Sequence, residues 1–392
     1  MPARARTGRS PRGDSLHGPK GRLEGIALSR LGDCPEVSGT ICPRGEWQLK
    51  RLEIRGTIAE LAPDTDPRSV GPALAAAERV PRLQFTQQPP APLLEAAAAA
   101  VAADPSMPVR FYSHSHTSSL DFLNAFAHVR HLSVEVWHAT DLTPLSSFTE
   151  LESLGIGQTK SHATSLGFLR SLRKLTDLWI EGHDRDFDAV GELPQLRRLS
   201  LRASRARSLV SLAGHRNLTT LEMDFGGIRD LGPLIDVPGL RGLGLYQVRK
   251  FDTADLAVLG QLPKLEALSL GALRNVERLS LLDGRPAKTL RCLTLERLLA
   301  LRTLEEIGVC DALEELYLDI EARPADRLLS PLLTASSLKY VHVGGVFPRE
   351  QVEALRAGFR GRTLTYRNDL LCGSRDDRGV LSWRGRVADH IT

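Results

Sequence analysis

Between Val129 and Val343 the chain repeats one apolar triplet ten times, with hydrophobic residues at positions one, four and six of each copy, as in Leu196-x-x-Leu199-x-Leu201. The first positions are Val129, Leu151, Leu175, Leu196, Leu218, Leu240, Leu265, Leu290, Leu313 and Leu338, so each copy follows the last by 21 to 25 residues. A repeat of that length is one supersecondary unit. It cannot bury its own leucines, and only stacking on its neighbours does so. Positions four and six alternate as in a short β-strand with one buried face. Upstream of the triplets runs a second apolar row at spacing three, for instance Leu142, Leu145 and Phe148, or Leu231, Leu234 and Val237. That spacing fits a 3₁₀ turn better than an α-helix. Pro194, Pro238 and Pro263 each stand two residues before a first position, where a fixed φ and a missing N–H suit the turn into the strand. The expected fold class is α/β, a curved solenoid of about ten coils over residues 118–346. It has a parallel β-sheet on its concave face and 3₁₀ or short helical turns on its convex face.

The pattern resembles the leucine-rich-repeat superfamily, nearest to the repeat of roughly 22–25 residues seen in internalins and related bacterial proteins. Leu231-Gly-Pro-Leu-Ile-Asp-Val-Pro-Gly-Leu-Arg-Gly-Leu-Gly-Leu245 carries the resemblance, which extends from Leu120 to about Val346. It implies a non-catalytic surface for binding other proteins. One departure matters. The superfamily's asparagine at position nine, which satisfies buried backbone groups in the turn, is replaced by Trp137, Thr159, His183, Ser204, Gly226, Val248, Leu273, Leu298, Glu321 and Val346. Those turns must find other partners for their backbone.

Outside the repeats, residues 1–46 read as a disordered basic head, whose first 20 residues hold Arg4, Arg6, Arg9, Arg12 and Lys20 against Asp14, a balance equal to the net charge of +4. Residues 47–117 read as an N-terminal segment. In it Val80-x-x-Leu83-x-Phe85, an Ala-rich helix from Pro92 to Ala103 and a strand at Val109–Tyr112 form a β-α-β unit that caps the first coil. Residues 347–372 read as a C-terminal cap and 373–392 as a polar tail. The longest apolar run, from Pro92 to Ala103, is too short to span a membrane, and Met1 to Lys20 has no apolar secretory core. A cytoplasmic setting is therefore expected. Five scattered cysteines, Cys34, Cys42, Cys292, Cys310 and Cys372, agree with a reducing compartment, although Cys34 and Cys42 are near enough in sequence to pair.

Positions three, five and seven of each coil face solvent on the concave sheet and form the functional map. One cluster places Trp179 beside Arg198 and Arg202, flanked by Asp177, Glu181, Glu222 and Asp224. Exposed aromatics and arginines are what interfaces favour. The same charges also read as a lateral ladder, Asp177 to Arg198 and Glu181 to Arg202 to Asp224, serving only the sheet. A second cluster gathers Glu296, Glu315, Tyr317, Asp319, Tyr340 and His342, and suits a basic, partly apolar protein segment or simply a solubilising surface. Between them Gly242, Gly244, Ala267, Ser269 and Gly271 leave a shallow floor around Tyr246, open to a partner's side chain.

No nucleophile elbow, phosphate-cradling glycine loop or metalloprotease helix occurs. His114-x-His116 supplies two imidazoles without a third ligand, a remote basis for a metal-dependent enzyme. His215, on an otherwise apolar convex row, reads as a satisfied or solvent-reaching histidine rather than a catalyst. Arg12-Gly-Asp-Ser15 is a chance match to an adhesion tetrapeptide, and the basic head lacks the interleaved aromatics that nucleic-acid binding favours. The sequence thus points to a scaffold for a protein partner, needing no cofactor, through Trp179, Arg198, Arg202, Tyr246, Tyr317, Tyr340 and His342. An exported, internalin-like adhesin is the alternative.

Overall fold

The ten triplets become ten strands, and their register confirms the stacking that the period requires. The computed structural model describes residues 49–113, 118–161, 163–228, 230–320, 328–367 and 369–372, which all lie in one structural unit, 48–392. The expected basic head and polar tail, the Arg12–Ser15 tetrapeptide, Cys34, Cys42 and the His114/His116 pair fall outside the described residues.

The strands are β1 (Ile54–Arg55), β2 (Ile58–Glu60), β3 (Arg82–Phe85), β4 (Val109–Ser113), β5 (His131–Val136), β6 (Ser153–Ile156), β7 (Asp177–Glu181), β8 (Arg198–Arg202), β9 (Thr220–Asp224), β10 (Gly242–Tyr246), β11 (Ala267–Gly271), β12 (Cys292–Glu296), β13 (Glu315–Ile320), β14 (Tyr340–Gly345), β15 (Thr363–Tyr366) and β16 (Asp369–Cys372). They form one sheet in sequence order, parallel from β2 to β15 and closed at each end by an antiparallel pair. Position four stacks as Leu132, Leu154, Leu178, Leu199, Leu221 and Leu243 onward, and position six as Val134, Ile156, Ile180, Leu201, Met223 and Leu245 onward. All are buried, as are the ten first positions. Each wholly buried leucine contributes about 1.5–3 kcal/mol, and it does so only because the next coil covers it.

The convex rows form as their spacing demands. Leu145 N–H donates to Leu142 O, Phe148 N–H to Leu145 O and Leu151 N–H to Phe148 O, a run of i→i+3 bonds that delivers the chain to the next strand. The equivalent 3₁₀ turns at Gly167–Ser171 and Gly232–Asp236 repeat this arrangement.

At the N-terminal end the sheet continues for four strands, β1 to β4, before the first triplet. The β3 and β4 strands lie where the β-α-β unit was expected, with a helix at Ala91–Ala103 between them. Their pairing is continuous with the solenoid: Leu83 with Val109 and Val109 with Leu132. Here phenylalanines replace leucines. Phe85 and Phe111 stack at 4.6 Å, and Phe126 meets both edge-on. Val80, the apparent first position of that unit, is 52 % exposed and anchors nothing.

The turns solve the missing asparagine in the backbone itself. Position eight is left-handed in seven coils, at Gly182, Ala203, Phe225, Gln247, Ala272, Arg297 and Gly345. From Gly182 to Arg297 each of these residues donates its N–H to the carbonyl at position seven of the next coil, at 2.7–2.9 Å. This conformation costs a residue with a side chain about 1–2 kcal/mol. Position nine is then free to vary. Thr159, His183 and Ser204 are buried polar residues, His183 bonding through Nε2 to Gly157 O at 3.1 Å, whereas Val248, Leu273 and Leu298 are buried apolar ones. His215 is buried between two coils. Its Nδ1 accepts from Leu218 N–H at 3.1 Å, so Nε2 carries the proton and donates to Leu193 O at 2.8 Å.

Candidate functional site

The parallel register sets the solvent-facing residues in three rows across the concave sheet, neighbours about 4.8 Å apart. From β3 to β9 these rows line an open trough of about 720 Å³. Trp179 stands in it, half-buried, on the middle row between Gly155 and Ser200. Its indole leans back over β6, because a Cβ at Gly155 would lie 3.4 Å from its Cε3. On the flanking rows Arg198 pairs with Asp177, and Arg202 with Glu181 at 3.3 Å. Both guanidiniums remain about half exposed, so the Asp177–Arg198 and Glu181–Arg202 rungs of the lateral ladder expected from the sequence are present and still leave them a solvent-facing side.

Two arginines that sequence reasoning passed over also line this trough, Arg82 and Arg110. Arg110 donates to both oxygens of Glu135 at 2.7 Å, reaches Gln84 Oε1 at 3.3 Å and lies over the Tyr112 ring. Ser133 Oγ donates to the same carboxylate at 2.8 Å. Burial alone would raise the Glu135 pKa, but the Arg110 guanidinium and the Ser133 hydroxyl outweigh it and hold the carboxyl below its ordinary range. Their sequence signal was weak, since neither arginine lies within the ten triplets. Only the pairing of β3, β4 and β5 shows that they share the face.

The floor expected to be open beside Tyr246 is partly occupied by Tyr246 itself. Its ring lies over Gly271 on the following strand, where an added Cβ would fall 2.2 Å from Cδ2. Phe225 packs against it edge-on at 5.7 Å, and Arg297 Nη1 donates to its hydroxyl at 3.2 Å. A large side chain there is stable only because the neighbour is glycine, and the site presents a flat aromatic surface rather than a hole.

In the C-terminal cluster Tyr317 and His342 are brought together on adjacent strands, rings stacked at 4.6 Å. A hydrogen bond links His342 Nδ1 and Thr365 Oγ1 at 2.8 Å, and Arg362 donates to the Tyr340 hydroxyl at 3.4 Å. Trp179, Tyr246 and Tyr317 sit on β7, β10 and β13, three strands apart in turn. The structure therefore spaces them along the face rather than gathering them into one pocket.

Cys292 is half-buried on β12, and burial, with Glu315 alongside, pushes its thiol up to about 12, so it keeps its proton at neutral pH. Among the described residues no group of three or more His, Cys, Asp or Glu side chains is placed to hold a metal ion, and no helix is long and apolar enough to cross a membrane.

No protein-family model matches the sequence, and a search of curated proteins finds no match. Solved structures do match. An internalin of Listeria monocytogenes superposes with a TM-score of 0.51 at 16 % identity, over 72 % of this chain and 77 % of that one. The fold is the leucine-rich-repeat solenoid. Internalin C2 of the same organism, at 19 % identity over 58 % of this chain and 83 % of that one, and a leucine-rich-repeat protein of Leptospira interrogans, at 14 % over 70 % and 87 %, superpose with TM-scores of 0.36. Within this solenoid the middle coils keep the regular apolar positions, and their turns carry a left-handed residue at position eight.

Proposed function

We propose that the protein is a non-catalytic scaffold that grips a protein partner with the concave face of its solenoid, through Trp179, Arg198, Arg202, Tyr246, Tyr317, Tyr340 and His342. One observation carries this reading: aromatic rings on the face are held in place by their own neighbours while part of each stays open to solvent. Trp179 rests over Gly155, Tyr246 over Gly271 and Tyr317 on His342. A restrained aromatic loses little freedom on binding and offers a large contact area. The charges around Trp179 are largely paired already, so a partner meets a surface of matched ions rather than a field of one sign. A cytoplasmic setting goes with this reading, since the free thiols of Cys292 and Cys310 suit a reducing compartment.

The test is affinity capture from the source cytoplasm with the parent chain and a variant carrying Trp179→Ala, Tyr246→Ala and Tyr317→Ala, folding checked by circular dichroism. The parent is expected to hold a partner that the variant loses. Identical capture by both refutes the concave-face reading, and recovery of the protein from the cell surface on fractionation would favour the adhesin alternative.

A further inference from the structure

We infer that the edge of the solenoid at which strands pass into turns carries a docking line for an extended acidic segment of a partner protein, formed by Arg205, Arg249 and Arg274 and ending on Leu299. This surface is distinct from the concave aromatic face proposed above.

The left-handed residues set the line. From Gly182 to Arg297 the N–H of each bonds the next coil, so the turns stack in register. The residue after each, at position nine, is buried, as at Ser204, Gly226, Val248, Leu273 and Leu298. Position ten is then turned outward. From the coil of β8 to that of β12 it reads Arg205, Gly227, Arg249, Arg274 and Leu299, all exposed. Arg249 N–H also donates to Gly226 O at 3.0 Å, which fixes this part of the turn against the coil of β9.

Cations at the opposite edge are answered by acids. At position two Arg130 pairs with Glu152, Arg241 with Glu266, and both Arg291 and Lys339 with Glu314 of the adjoining coil. Position ten offers no such answer. The neighbours there of Arg249 and Arg274 are Gly227, Leu299 and each other, and Asp184, in the place before Arg205, forms no ion pair with it. Among the described residues the side chains of Arg205, Arg249 and Arg274 make no hydrogen bond or ion pair, and exposed Arg207 and Lys250 in the same turns make none either. Unneutralised charge of one sign along an edge attracts and orients an anionic partner.

The surroundings select the kind of anion. Acids border the row on both sides, Asp224 and Glu296 at the ends of their strands, and Asp230, Asp252 and Glu277 three residues farther along the turns. A membrane surface or a nucleic-acid duplex is broad enough to meet those acids, whereas a single extended chain touches the row alone. A single nucleic-acid strand gains most from open aromatic faces, but position ten has no aromatic residue, and Phe225 and Tyr246 nearby are packed on each other. Leu299, 54 % exposed, instead closes the row with an apolar contact. Four coil steps separate Arg205 from Leu299, on the order of 19 Å, or about six residues of extended peptide.

The probe is a fluorescein-labelled dodecapeptide of alternating glutamate and serine with two leucines at one end, titrated with the full chain and followed by fluorescence anisotropy. Binding is expected at low ionic strength, weakening as salt is raised, and absent when glutamine replaces glutamate. Arg205→Gln, Arg249→Gln and Arg274→Gln together should weaken it about 10- to 100-fold, from about two- to five-fold for each exposed contact. Gly227 supplies the converse. An added Cβ there meets nothing within 4 Å and the backbone is not left-handed, so Gly227→Arg completes the row and should tighten binding about two- to five-fold, while Gly227→Glu should weaken it as much. Leu299→Ser should cost the leucine-ended peptide more than one ended in serine. The chain carrying Trp179→Ala, Tyr246→Ala and Tyr317→Ala should bind as the parent does. No binding by the parent, or equal binding by the parent and the triple arginine variant, refutes the docking line and leaves the concave face to its own test. Loss in the aromatic variant instead places the peptide on the concave face and refutes it too. Oligothymidylate, or vesicles containing phosphatidylserine, held more tightly than the peptide and with the same arginine dependence overturns the peptide assignment.

Discussion

Substituting Gly271 by Ala should change sign with the residue at position 246. The new methyl carbon falls 2.2 Å from Tyr246 Cδ2 and 2.8 Å from Cε2, far inside the 3.5–4.0 Å or so at which carbons rest. The backbone accepts alanine, because Gly271 is not among the left-handed glycines. The strain therefore resides wholly in the ring, which must swing off the sheet. It then gives up the edge-on contact with Phe225, about 0.5–1.5 kcal/mol, and the Arg297 hydrogen bond, about 0.5–1.5 kcal/mol. Against this, alanine in a strand gains about 0.5–1 kcal/mol over glycine. The net in the parent is a loss of about 0.5–2 kcal/mol, whereas in a Tyr246→Ala chain only the gain remains, giving a coupling of about 1–3 kcal/mol. Urea denaturation of the four chains, compared at constant m, measures it. Equal cost of Gly271→Ala in both backgrounds would refute the idea that the ring's resting place is bought by the glycine.

Two further outcomes follow from the polar contacts. His215→Ala leaves Leu218 N–H buried without its partner, at about 1–3 kcal/mol, and takes from Leu193 O the shorter of its two hydrogen bonds, at about 0.5–1.5 kcal/mol, so it should destabilise the chain by about 1.5–4.5 kcal/mol; a variant within the error of the parent in denaturation would show that these bonds are not what fills the site. Glu135 has a folded pKa below its ordinary value, so its contribution is present above about pH 4.3, the unfolded range, and fades as pH falls through the depressed folded value. The stability gap between the parent and Glu135→Gln should be about 1–3 kcal/mol at pH 7 and close toward pH 3, and a gap unchanged over that range would contradict the pairing with Arg110.

The sequence by itself determined the solenoid, its ten central coils and the direction in which every residue of each triplet points. Those features depend on alternation within a strand and spacing within a turn, which are local and repeat visibly. It also placed Trp179, Tyr246, Tyr317 and His342 on the concave face, and the observed register puts them there. The tertiary structure decided the rest. The strands β3 and β4 were legible in Val80-x-x-Leu83-x-Phe85 and Val109–Tyr112, but that they join the same sheet as the ten coils is decided by backbone pairing from β2 to β5. The missing asparagines are answered by left-handed residues whose N–H groups bond the next coil, a solution that leaves no common residue type behind. On the face, Trp179 leans toward β6 and Tyr246 toward β11 because glycine stands at 155 and 271, each more than twenty residues away along the chain. Arg110 is held by Glu135 of the adjacent strand. A strand's sequence sets which side of the sheet a side chain occupies, but its lateral neighbours set where on that side it rests and what it has left to offer a partner.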